Sequence, residues 1–148
     1  MEKKENKPKN MSILQLREGV KADFEIINKC LVIKLMEELD HHNALTIREQ
    51  SDKLISGKNI KDIIFDFTGS DFMDSSGIGV IMGRYKKVIF TGGKVAVTGV
   101  NQGVDRIFRL SGLYKIIHKF DTIEEAVKEF NSWIWKINSW VKKIGSRI

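Results

Sequence analysis

With 148 residues, 42% of them hydrophobic, the chain is long enough for one core with tails, and Pro8 is its single proline. One cysteine, Cys30, excludes an intrachain disulfide framework; no apolar run reaches membrane-span length, the N-terminus lacks a signal-peptide core, and a cytoplasmic protein is expected. The net charge of +6 divides into +2 in residues 1–10 and +4 in residues 131–148, so residues 11–130 sum to zero and no direct nucleic-acid-binding face is expected.

Residues 1–20 read as a flexible basic N-terminal arm, the first ten of them polar, charged and aperiodic. Residues 24–27 and 30–35 read as strands joined across Asn28-Lys29, a tight hairpin turn. From Asn43 the period becomes helical, with Ala44, Ile47, Leu54 and Ile55 on one stripe and Ser56-Gly57 as the stop. A strand over 63–67 follows, apolar enough to be covered on both faces. The next helix begins near Ser76 and places Ile78, Ile81, Met82, Tyr85 and Ile89 on its inner face, ending at Thr91-Gly92-Gly93.

Residues 94–100 read as another strand, then a short helix carries Val104, Ile107 and Phe108, and residues 114–120 read as a last strand. A capping box opens the final helix, either Asp121 with Glu124 or Thr122 with Glu125. Strands alternating with helices define an α/β layer sandwich, a mixed sheet with helices packed on it. The final helix is unusually long. Ile123, Val127, Phe130, Ile134, Ile137, Val141, Ile144 and Ile148 recur at steps of four and three to the chain end, with Trp133 and Trp140 flanking the stripe and Trp135 off it.

The stretch Asp74-Ser75-Ser76-Gly77-Ile78-Gly79 carries the chemistry. It follows the strand at 63–67 and opens a helix, and a helix N-terminus offers unpaired N–H groups and partial positive charge. Asp74, Ser75 or Ser76 serves as cap; only one cap is needed, so the second hydroxyl is free to face solvent or a partner, and plain capping and regulation by phosphorylation stand equally open on the residues alone. Nucleophilic catalysis is not indicated, because Met73 and Asp74 stand where a nucleophile elbow needs glycine, and nothing in the sequence draws His41, His42 or His118 to the serines. Gly77, Gly79 and Gly83 are spaced one residue too long for a dinucleotide fingerprint, and no Walker sequence is present. Asp40-His41-His42 lacks a second ligand cluster and reads as a polar loop in which Asp40 or Asn43 caps the next helix. No metal and no cofactor is expected.

Residues 72–86, Phe-Met-Asp-Ser-Ser-Gly-Ile-Gly-Val-Ile-Met-Gly-Arg-Tyr-Lys, resemble the signature of the anti-sigma factor antagonists, which are single STAS domains, and specifically their sporulation branch. Glu38-Leu39-Asp40-His41-His42 is similar to that family's first-loop motif, and residues 109–117 to its late helix-to-strand segment. The matches span roughly residues 24–130 in order and spacing. The resemblance implies a STAS-type sandwich over residues 21–130 and a non-enzymatic switch. Unmodified, such a protein binds a kinase-type anti-sigma factor, which then releases its sigma factor. The serine kinase phosphorylates the first serine of the turn, here Ser75, and a protein-phosphatase-2C-type phosphatase reverses it. Asp40, His41, His42, Asp74, Ser75, Ser76, Gly77 and Gly79 are the implied partner-binding residues. Glu37 stands where the family often has glycine, which alters the first loop's contacts. A STAS scaffold without a phosphorylation cycle, anchored through its tail, is the alternative.

Residues 131–148 form an amphipathic helical extension beyond that resemblance, with three Trp over the last helix and four basic residues but no acid. Two readings stand side by side: packing or weak self-association, weakened as a coiled coil by Asn138, Ser139 and Gly145, and contact with an anionic membrane surface.

Overall fold

The computed structural model describes residues 21–147, without the side chains at 133–136, 138, 139, 146 and 147. The expected N-terminal arm at 1–20 and the terminal Ile148 therefore lie outside the described residues, as do the side chains of Trp133 and Trp135.

Five strands form one sheet in the order β1-β2-β3-β4-β5: β1 (Ala22–Ile27), β2 (Cys30–Leu35), β3 (Asp62–Asp66), β4 (Val95–Thr98) and β5 (His118–Phe120). β1 and β2 pair antiparallel through the expected hairpin, in which Ile27 faces Cys30 and both turn residues, Asn28 and Lys29, have positive φ of 50° and 66°. That double left-handed geometry matches the twist of the flanking strands. β2 through β5 run parallel. Neighbouring parallel strands taken in sequence order by right-handed crossovers put all their connecting helices on one face. Accordingly α1 (Ala44–Gly57), α2 (Ser75–Ile89) and α3 (Gln102–Leu110) share one core with the sheet, while α4 (Ile123–Arg147) packs on the other face.

The alternation of side chains along the strands sorts them between these layers. Leu31, Ile33, Ile63, Phe65, Val95 and Val97 face α1–α3; Cys30, Val32, Ile64 and Ala96 meet Ala126 and Phe130 of α4. Every residue of β3 is buried, as its apolar run requires. The Cys30 thiol, pushed up to about 12 by burial and then by Asp62, is held as a neutral core group.

Two elements differ from the sequence reading. Of the last expected strand, only His118–Phe120 pairs, after a 3-10 turn at Leu113–Lys115. Gly112, at φ 79°, reverses the chain after α3, Leu113 sinks into the core, and the Tyr114 hydroxyl donates to Asp105 at 2.6 Å. The helical turn is therefore fixed by side-chain contacts back to α3. In α2 the buried face is Gly77, Val80, Ile81, Arg84 and Val88, rotated from the expected stripe; Ile78, Met82 and Tyr85 border the core and Ile89 is exposed. An arginine reads as a surface residue, but Arg84 is buried with its Nε 3.1 Å from Asp52 of α1, an opposite charge that offsets part of the burial cost while Nε and Nη1 stay without a hydrogen-bond partner.

At the start of α4, the Thr122 hydroxyl accepts the Glu125 amide and Glu125 accepts the Asp121 amide, both at 3.1 Å, so the Thr122–Glu125 box is the one formed. The helix then runs on past the sheet. Among the described side chains of its heptad stripe, Phe130 is buried on the domain, whereas Ile137, Val141 and Ile144 are exposed, as is Trp140 beside them. No helix among the described residues is long and apolar enough to cross a membrane.

Candidate functional site

The site lies beyond the β2 and β3 ends, where two loops are joined by their backbones. Leu39 forms an isolated parallel bridge with Met73; its N–H donates to the Phe72 carbonyl at 3.0 Å and its carbonyl accepts the Asp74 N–H at 3.3 Å. Leu39 and Met73 are both fully buried, so the bridge is fixed from below by the core. Everything that follows in each loop is thereby placed against the other.

Asp74 is extended, with φ −114° and ψ −168°, and caps α2: its Oδ1 accepts the Ser76 N–H at 2.8 Å. Its Oδ2 accepts the His41 N–H at 3.3 Å, with His41 Nδ1 at 3.6 Å. Burial pushes this carboxyl up, but the Ser76 and His41 amides and the His41 ring outweigh it and hold Asp74 below the usual carboxylate range. His41 thus contacts the cap carboxylate and not the serines, whose hydroxyls have no histidine partner among the described hydrogen bonds. This contact had no signal in the sequence because the Leu39–Met73 bridge that aligns the loops is a tertiary contact. His118 does stay apart, on β5 with its ring 6.4 Å from Phe130 on the α4 face.

The helix begins one residue earlier than expected, at Ser75. Ser75 is exposed at its first position, Ser76 is half-buried, and Gly77 is buried. A Cβ at Gly77 would sit 2.7 Å from the Leu39 carbonyl oxygen and run into the Met73 side chain, so glycine allows α2 to approach the first loop. Gly79 is exposed with open space around its Cα. In the first loop, Asp40 Oδ1 accepts the amides of His42 and Asn43 at 3.0 and 3.2 Å. Asn43 occupies the cap position of α1 without a side-chain cap bond; its Nδ2 donates instead to the Glu38 carbonyl at 2.7 Å. The His41 and His42 rings lie 4.0 Å apart, both exposed.

Thus Asp40, His41, His42, Asp74, Ser75 and Ser76 come together, with Gly77 beneath them and Gly79 at the rim. The sequence reading passed over an apolar component. Phe72, on the bridged loop, and Leu45, in the first turn of α1, are 46% and 52% exposed. Leu45 falls off the α1 core stripe, which was the available signal. Among the described residues no group of three His, Cys, Asp or Glu side chains is placed to hold a metal ion.

An exposed Ser75 at the mouth of α2, beside an Asp74 that ties the helix to His41 of the first loop, gives the fold a surface suited to contact with a partner. The STAS domain family matches residues 21–126, and the chain belongs to that family. It is 41% identical over 111 residues to the anti-sigma F factor antagonist of Paenibacillus polymyxa, covering 75% of this chain and 95% of that one. The structure of the anti-sigma factor antagonist SpoIIAA in its unphosphorylated form matches with a TM-score of 0.68 and 30% identity, over 75% of this chain and 96% of that one. The phosphorylated form of SpoIIAA, described as a Bacillus cell fate determinant, matches with a TM-score of 0.60 and 30% identity, over 73% and 97%.

Proposed function

We propose that this protein is an anti-sigma factor antagonist switched by phosphorylation of Ser75. Residues 21–130 form its STAS unit and residues 131–148 an extension, in the cytoplasm. Unmodified, the surface of His41, His42, Phe72, Ser75 and Ser76 docks a kinase-type anti-sigma factor and makes it release its sigma factor. That kinase transfers the γ-phosphoryl group of ATP to Ser75 Oγ: the new O–P bond replaces the phosphoanhydride bond, ADP leaves, and the hydroxyl proton passes to the kinase. A protein-phosphatase-2C-type enzyme hydrolyses the ester, restoring the hydroxyl and releasing phosphate.

The observation that carries this reading is the pairing of an exposed Ser75 with a half-buried Ser76 at one helix mouth. Ser75 is the more exposed of the two and so the better placed for an incoming kinase. The existence of unphosphorylated and phosphorylated SpoIIAA structures on the same fold supports the same modification. A phosphoryl group adds nearly two negative charges beside Asp74, whose ionised form is already favoured. The helix N-terminus tolerates that charge within the protein, but a partner surface fitted to a neutral hydroxyl must desolvate it. About 1.4 kcal/mol is a tenfold change in affinity, so a coupling of a few kcal/mol suffices to switch binding.

The test is phosphorylation by the cognate anti-sigma kinase with labelled ATP. Wild type and Ser76→Ala take up label and Ser75→Ala does not. Label on Ser75→Ala moves the site, and no label on any form returns the protein to the scaffold reading.

A further inference from the structure

Among the described side chains of α4, those packed on the sheet lie in its first turns. Ala126 and Phe130 are buried against Cys30, Val32, Ile64 and Ala96, with Ile123 and Val127 partly buried beside them. At about 1.5 Å per residue, residues 131–147 then carry the helix some 25 Å further. Along that length Ile137, Val141 and Ile144 keep the spacing of four and three and so share one side, and Trp140 adjoins it. They are exposed by 55%, 56%, 38% and 63%. Lys142 and Lys143 are exposed as well, and the sequence from 131 to 148 holds four basic residues and no acid.

An apolar side of this extent needs an occupant, and the charge decides which. A second copy of the helix would bring a segment of +4 against another of +4. Paired coiled-coil helices relieve such repulsion through acids beside the stripe, yet the positions following Phe130, Ile137 and Ile144 are Asn131, Asn138 and Gly145. An anionic lipid surface instead complements the basic residues while its acyl boundary takes the aliphatic side and the indole. With no span long and apolar enough to cross among the described helices, the mode is in-plane.

We propose that residues 131–147 form an interfacial helix that seats the domain on an anionic bilayer, with Ile137, Trp140, Val141 and Ile144 in the headgroup–acyl boundary and the lysines on lipid phosphates. The inference is independent of the Ser75 cycle, because none of these residues belongs to the docking surface described above.

The test is sedimentation of the full chain with phosphatidylcholine vesicles containing about 30% phosphatidylglycerol, against phosphatidylcholine alone, with Trp emission followed in parallel. The protein co-sediments with the anionic vesicles, its Trp emission shifts to the blue, and binding falls as salt is raised. The double variants Val141→Glu/Ile144→Glu and Lys142→Glu/Lys143→Glu each lower partitioning about tenfold or more, with the thermal midpoint of each measured beside wild type to show that it folds. Wild type remaining in the supernatant overturns the proposal, as does equal sedimentation of either variant. Wild type that ignores vesicles but doubles its mass with concentration, and loses that in Val141→Glu/Ile144→Glu, assigns the face to a second copy and equally overturns it.

Discussion

At the mouth of α2 the two oxygens of Asp74 hold different neighbours, Oδ1 the Ser76 amide at 2.8 Å and Oδ2 the His41 amide at 3.3 Å. One side chain thus caps the helix and ties down the loop beside it. Gly77 completes the arrangement from underneath, and contrasting it with Gly79 separates space from backbone freedom. A methyl group at Gly77 meets the Leu39 carbonyl oxygen at 2.7 Å, a backbone atom that cannot swing aside. Overpacking of this kind costs about 1–3 kcal/mol, and the better helix propensity of alanine returns about 1. Gly77→Ala is therefore expected to lose up to about 2 kcal/mol in urea unfolding. Gly79→Ala, with nothing near its Cβ, is expected to gain about 0.5–1 kcal/mol. Equal effects of the two would refute the packing role of Gly77. The modifiable turn was readable because capping residues and glycines act locally. The demand on Gly77 was not, since Leu39 meets it only through the fold.

Among the elements, α3, the 3-10 turn and β5 converge on one carboxylate. Asp105 on α3 accepts from Lys119 Nζ of β5 at 2.8 Å and from the Tyr114 hydroxyl of the turn at 2.6 Å, and it pairs with Arg109 one turn along. The hydrogen bonds from Lys119 and then Tyr114 outweigh its burial and bring its pKa from 3.8 down to about 2. Because the folded value lies below the unfolded one, the stabilisation is fully present above about pH 4 and fades as pH falls toward 2. Asp105→Asn is expected to cost about 1–2 kcal/mol at pH 7. Its thermal midpoint should also fall less steeply than that of wild type between pH 4 and 2; parallel curves would show that Asp105 does not link these elements. This cluster explains why the sequence misplaced the end of the fold. The apolar and β-branched residues after Gly112 suit a strand, while the bond from Tyr114 back to α3 makes a turn. The hairpin, β3 and the α3 stripe were legible because their signals are carried by residues within one element.

For the whole molecule, the decisive relation is that Ser75, the proposed site of modification, is exposed outside the core. α2 contributes Val80, Ile81 and Val88 to that core, whereas Ser75 is exposed at the helix's first position. β3, buried on both faces, separates this side of the sheet from α4 and the extension beyond it. The heptad stripe of α4 keeps one period across its packed and exposed parts, so periodicity alone revealed a long helix and not where the sheet beneath it ends. A phosphoryl group on Ser75 can repel a partner through the first-loop surface without repacking Val80 or Phe65. The amide spectrum of the protein after phosphorylation should therefore change over residues 38–42 and 72–79, where the two loops share Asp74. Resonances of β3 and of α4 around Phe130 should stay in place, and the slow hydrogen exchange of β3 should be unaltered. Shifts spreading through the sheet would replace local exclusion with a conformational mechanism.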